Sequence, residues 1–145
     1  MEKSKFDFSK FSIEGHSEKL EKPWGYELHW TKDQPYVGKL LHINKGTKLS
    51  LQYHDQKQET EFLIKGSVKL WIDDENGEFV SVDMETGVGY QIAPFQRHRF
   101  EALEDSDIIE VSTPEKGTTY RLEDDYNRSD ETEEVRREPN RGWNQ

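Results

Sequence analysis

From residue 36 onward, apolar residues come in short runs broken by turn residues, at the lengths of strands rather than helices. Residues 36–43 (YVGKLLHI) form a β-rich run that ends at the turn Asn44-Lys45-Gly46. Residues 49–54 alternate, with Leu49, Leu51 and Tyr53 on one face and Ser50, Gln52 and His54 on the other. Residues 61–64 (EFLI) run into Lys65-Gly66, and 67–72 (SVKLWI) lead to a polar turn carrying Asn76-Gly77, a strong hairpin signal. The return strand falls at 79–82, and further runs at 90–92, 99–102 and 108–112 are divided by Pro94 and by 104–107 (EDSD). Strands of about five residues with regular turns, and no core-forming helical period, predict an all-β single domain, a sandwich or barrel.

The two ends break this pattern. Residues 1–21 are rich in lysine and glutamate, with Phe6, Phe8 and Phe11 scattered among them, and read as a loosely held arm contributing at most one strand. Residues 129–145 (SDETEEVRREPNRGWNQ) are almost wholly polar. A short helix over 131–137 would set Glu133 and Arg137 four apart. Pro139 and the glycine-containing end make a disordered tail the expectation, with Trp143 free to pack on the domain or on a second subunit. That leaves 22–128 as the barrel.

This partition reconciles the composition. The chain is 31% hydrophobic and 34% charged, values that lean toward disorder, yet it is 12% aromatic with four tryptophans, which need a core. Thirty acidic against twenty basic residues give a net charge of -10, the wrong sign for a nucleic-acid backbone or an anionic membrane surface. No apolar run reaches the ~18 residues of a membrane span. The start MEKSKFDFSK does not read as a signal peptide, so a cytoplasmic location is expected. Cysteine is absent, which excludes disulfides, thiolate metal sites and cysteine nucleophiles.

Nitrogen and oxygen donors remain. Gln52 and His54 are two apart on a strand and share a face; Glu59 follows after a turn-length gap, and His98 lies just past the Pro94 turn on another strand. Two imidazoles, a carboxylate and an amide oxygen suit one divalent ion, zinc foremost, with Mn, Fe, Co or Ni as alternatives, better than Ca or Cu(I).

The spacing Gly46, Gln52, His54, Glu59, Gly66 resembles the first motif of the cupin superfamily, which normally has His where Gln52 stands. Gly87 and His98 match the second motif, although its usual Pro falls on Ala93, its Gly on Phe95 and its Asn on Ala102. The runs Lys22-Pro23-Trp24-Gly25, Leu51-Gln52-Tyr53-His54, Arg97-His98-Arg99-Phe100 and 121–128 (RLEDDYNR) are similar to successive signatures of the cupin domain of type II phosphomannose isomerases. Departures sit beside His54 (Asp55 and Gln56 for further histidines), at Thr60-Glu61 for His-Trp, and at Asn127 for Gly.

The resemblance implies a double-stranded β-helix, or jelly-roll, barrel and a metal site of Gln52, His54, Glu59 and His98. It also implies interconversion of an aldose and a ketose phosphate through an enediolate, and by analogy a homodimer. Such a reaction needs a base; Glu61, sharing parity with Glu59, and Glu110, mid-strand, are the acidic candidates, against strand-end or rim positions. It also needs cations for the phosphate, for which Lys39, Arg121 and Arg128 are available, the two arginines having an ion-paired surface turn as their alternative. Arg97 and Arg99 should point outward if His98 points in. The expected partner is a sugar or sugar phosphate, and no other cofactor is implied. The competing readings are a non-catalytic or differently specific metal-binding cupin of carbohydrate or natural-product metabolism, and a cupin oxygenase.

Overall fold

The computed structural model describes residues 5–11, 13 and 15–143. Eleven strands follow one another: β1 Glu18–Lys22, β2 Gly25–His29, β3 Val37–Ile43, β4 Leu51–His54, β5 Glu59–Lys65, β6 Val68–Asp73, β7 Phe79–Asp83, β8 Gly89–Ile92, β9 His98–Ala102, β10 Ser106–Ser112 and β11 Thr119–Glu123. They pair antiparallel into two facing sheets, β1-β2-β3-β10-β5-β8 and β11-β4-β9-β6-β7. The alternation of the sequence becomes an inside and an outside. Leu41, Ile43, Leu63, Leu70, Ile92, Phe100 and Ile108 meet Trp24 in the core, each 3% exposed or less.

The interior is divided along the strands. On β3, β10 and β5 the inward row Leu41–Ile108–Leu63 is apolar. One inward step toward the other end, the row becomes Lys39–Glu110–Glu61, equally buried. Apolar packing thus closes one end of the barrel, and the other end is a buried ionic chamber.

Gly66 ends β5 at a φ of +101°, and a Cβ there would lie 2.2 Å from Ser106 Oγ, so no larger residue fits. The two positions where the expected pattern has glycine but this chain does not behave alike: Phe95 has φ 65° and Asn127 φ 53°. Asparagine tolerates this region. Phe95 is held there by its N–H, which donates to the His54 carbonyl at 2.7 Å, and by its ring against Tyr53. The turn before His98 therefore keeps its left-handed shape without the glycine.

The strand that the N-terminal arm contributes is β1, which pairs with β2 in a hairpin around Pro23-Trp24. Sequence pattern missed β2 and β11, the latter opening the segment that carries Arg121 and Arg128. The C-terminal tail is the largest difference, because residues 129–143 fold onto the barrel mouth. Thr119 and Glu131 exchange backbone hydrogen bonds of 2.9 Å. Helix α1 (Glu133–Arg136) is capped by Thr132 Oγ1, which accepts from the Val135 N–H, and a 3-10 turn (Pro139–Gly142) follows. The polarity that suggested disorder is turned inward. Glu131 is 8% exposed and accepts from Arg121, Arg136 and Arg141; Arg141 also donates to Glu115 at 2.6 Å.

Burial would raise the pKa of Glu131, but Arg141 and Lys22 outweigh it and hold it below the ordinary 4.5. The stability Glu131 contributes is therefore present above pH 4.5 and lost as pH falls through its depressed folded value. Glu131→Gln keeps an acceptor oxygen but loses the charge-assisted part of these bonds, about 2 kcal/mol at pH 7. Urea unfolding should show that gap, and show it narrowing as the pH is lowered below 4.5. A gap that does not change with pH would assign it to something other than the carboxylate.

Candidate metal centre

At the charged end of the barrel, His54 on β4, Glu59 on β5 and His98 on β9 point inward, 4%, 3% and 1% exposed. Their donor atoms all lie within 4.8 Å of one another. His54 Nε2 and His98 Nε2 each stand 3.2 Å from the same atom, Glu59 Oε1. Gln52 sits directly opposite His98 in the β4–β9 pairing. Its Oε1 accepts from Ser50 Oγ at 2.7 Å, which leaves that amide oxygen a second lone pair.

The donor set fits a cation. His98 Nδ1 donates to the Gln96 carbonyl at 2.9 Å, so in the neutral ring Nε2 carries the lone pair. That lone pair is buried, faces a carboxylate oxygen and has no hydrogen-bond partner. His54 Nδ1 is likewise engaged, by Thr119 Oγ1 at 2.8 Å, and burial lowers the pKa of His54, which keeps its ring neutral. Two neutral imidazoles, each pinned through one nitrogen with the other aimed at a shared carboxylate, are the arrangement by which proteins orient metal ligands.

A second acidic group lies behind the first. Glu59, Glu61 and Glu110 have oxygens within 4.8 Å of one another. Lys57 Nζ donates to Glu110 Oε2 at 2.8 Å and stands 3.0 Å from Glu59 Oε2. Burial would raise the Glu59 pKa, but the Lys57 ammonium holds it well below the usual carboxylate range. Glu61 goes the other way: burial, then the charges of Glu110 and Glu59, push its carboxyl well above that range. As a carboxylate Glu61 would have no donor for either oxygen; as the acid it can donate to Glu110.

The sequence-derived candidates therefore fall into different places. Glu110 lines the cavity, 5% exposed, rather than standing on the rim. Glu61 is fully buried, outside the cavity wall. Lys39 lines the cavity but is paired with Glu115 and lies 3.5 Å from Glu27 and 3.8 Å from Glu110. Arg128 holds Asp124 through Nε at 2.9 Å and Nη2 at 3.0 Å, and Arg121 reaches Ser129 and Glu131; both still face the cavity. Arg97 points outward onto Asp73 as expected. Arg99 also turns away from the interior but is buried: it is 8% exposed, donating to the Leu49 carbonyl and pairing with Glu123, because β11 and the turn after it cover that face. Lys57 escaped sequence reading. Its signal was a lysine two positions before the candidate ligand Glu59, a spacing that on an extended chain puts both on one face.

The cavity has a volume of about 60 Å³ and opens at the barrel mouth. Eight lysines and arginines and five glutamates line it. In a chain of net charge -10, the chamber around the candidate ligands is locally cationic.

No protein-family model matches the sequence, and no curated protein matches it. Solved structures do match the fold. Oxalate decarboxylase from Bacillus subtilis at pH 4.6 is 21% identical over 81% of this chain and 31% of its own, with a TM-score of 0.63. Another structure of that enzyme, from work on its Mn(II) centres, is 19% identical over 74% of this chain and 28% of its own, at 0.58. KdgF from Halomonas sp. is 15% identical over 68% of this chain and 87% of its own, at 0.57. The chain spans about a third of the oxalate decarboxylase chains. Among the described residues, no helix is long and apolar enough to cross a membrane. Two facing antiparallel sheets with almost no helix, shared with these structures, make the chain a single-domain cupin fold.

Proposed function

We propose that this cupin binds one divalent ion through His54, Glu59, His98 and Gln52 and acts as a sugar-phosphate isomerase of the mannose-6-phosphate isomerase type. The observation that carries the metal reading is the buried, unpartnered His98 Nε2 aimed at Glu59. Zinc is the foremost ion for this donor set, and the Mn(II) centres of oxalate decarboxylase make manganese the next to load. When bound, a divalent ion supplies Lewis-acid stabilisation of negative charge on the sugar oxygens.

The remaining steps belong to the chain. Glu110 faces the cavity with Lys57 donating to it, so it is placed to take a proton from C2 of an aldose phosphate and return it at C1. Glu61 carries a proton behind Glu110 and lies close enough to share it with that carboxylate between the two transfers. Lys39, Arg121 and Arg128 supply positive charge toward the phosphate, and the C-terminal strap limits water at the mouth.

Incubation of the zinc- or manganese-loaded chain with mannose 6-phosphate should give fructose 6-phosphate, and a chelator should stop it. Glu110→Gln should lower kcat at least ~100-fold with metal content unchanged. A metal-loaded chain that turns over no aldose phosphate would falsify the isomerase reading. It would leave a metal-binding cupin that holds a sugar ligand without converting it, a reading favoured by the pairing of Arg121 and Arg128 with the chain's own carboxylates.

A further inference from the structure

A second chamber lies outside the first, between the turn after β11 and the C-terminal strap. It has a volume of about 510 Å³. Four cations, Lys22, Arg121, Arg128 and Arg141, face both chambers, and the outer one has a single carboxylate in its wall, Glu138. Two of its donors are buried without an acceptor, Arg121 Nε and Trp143 Nε1. Lys22 is buried, with the Glu27 carboxylate 3.9 Å away, beyond hydrogen-bond reach.

Unmet donors in a cationic wall call for an oxygen-rich anion. The wall also offers rings. Tyr126 and Trp143 meet edge-to-face at 6.4 Å, with the Arg128 guanidinium 5.8 Å from the Tyr126 ring. Aromatic faces of this kind cover the apolar side of a sugar ring while polar groups beside them take its hydroxyls.

We propose that this outer chamber is a binding site for an oxyanion carried on a sugar ring, the anion on Lys22, Arg121 and Arg128 and the ring against Tyr126 and Trp143. A ligand held there lies at the entrance of the metal cavity, with Arg141 of the strap between the two chambers. The tail is thus part of a binding site as well as a cover. This assignment deepens the proposed function and rests on it for the choice of a sugar phosphate. Its test is separable, because binding is read without turnover.

The test is calorimetric titration of the full chain, as purified and again after chelation, with mannose 6-phosphate, glucuronate and uncharged mannose. Mannose 6-phosphate should bind in both metal states and mannose in neither. Heat from glucuronate as well would show that a carboxylate serves, and heat from the phosphate alone that the site selects phosphate. Trp143→Phe removes one donor and keeps the ring, and Arg128→Gln removes one charge. Each should weaken binding several-fold to about tenfold, with the thermal midpoint reporting that the fold is intact. Binding that vanishes with the metal, binding equal in both variants, or no heat from either anion at ~10 mM would overturn the assignment.

Discussion

His98→Ala should lose the divalent ion. After equilibration with zinc and dialysis, metal analysis should find about one ion per wild-type chain. The variant should bind at least ~100-fold more weakly, since removing a mere orienting partner of a ligand already costs 10–100-fold. The reason is geometric. His98 Nδ1 is committed to the Gln96 carbonyl, so the whole donor capacity of the ring is at Nε2, 3.2 Å from the Glu59 oxygen that also faces His54. Alanine removes one of two imidazoles and leaves the cluster a single nitrogen. His54→Ala should behave alike, and Gln52→Ala more mildly, because its amide oxygen already accepts from Ser50. A second readout follows from linkage: an ion at about 100 times its Kd stabilises the wild type by roughly 2.7 kcal/mol, a rise that His98→Ala should not show. Full metal occupancy in both His54→Ala and His98→Ala would remove the site from these residues.

How much of this was legible follows from what pattern encodes. Strands with one apolar face announce themselves by alternation, and β3 to β10 were read that way within one or two residues at most boundaries. The candidate cluster was legible because His54 and Glu59 are close in sequence, with Gln52 beside them, and only His98 had to be carried across the barrel. The folded tail was not legible, because its inward positions are polar. Glu27, Glu115, Glu131, Arg136 and Arg141 are buried through one another rather than through apolar surface. A hydropathy pattern reads such a segment as solvated. The same blindness hid Lys57, whose importance depends on Glu110 from a strand 53 residues away.

Turn chemistry was legible in kind and not in detail. Phe95 and Asn127 looked like losses of glycine, yet both keep the left-handed backbone that glycine would have taken. At Phe95 the hydrogen bond to the His54 carbonyl ties this strained residue to the strand that carries a candidate ligand. The exposed turn and the candidate metal cluster are thus one local structure.

Lys57→Met should be the most destabilising single change in the metal-free chain, costing about 3–5 kcal/mol in urea unfolding. The ammonium is buried among Glu59 at 3.0 Å, Glu110 at 2.8 Å and Glu115 at 3.9 Å. Burial alone would lower its pKa, but Glu110 and Glu59 raise it well above the ordinary value, so it is charged throughout the neutral range. Methionine fills much of the same volume, so packing changes little; what is lost is the cation that lets two buried carboxylates coexist with Glu61 behind them. Two further measurements separate charge from packing. Adding Glu110→Gln to Lys57→Met removes one of the stranded carboxylates, and the double variant should recover at least ~1 kcal/mol relative to the sum of the two single changes. Loading the single variant with zinc should recover part of the loss as well, because an ion on Glu59 replaces the missing positive charge at that oxygen. If Lys57→Met costs less than about 1 kcal/mol without metal, the ammonium is not what holds this acidic cluster together. Recovery with zinc but none with Glu110→Gln would place the compensated charge on Glu59 alone, and Glu110 would then need another explanation for its burial.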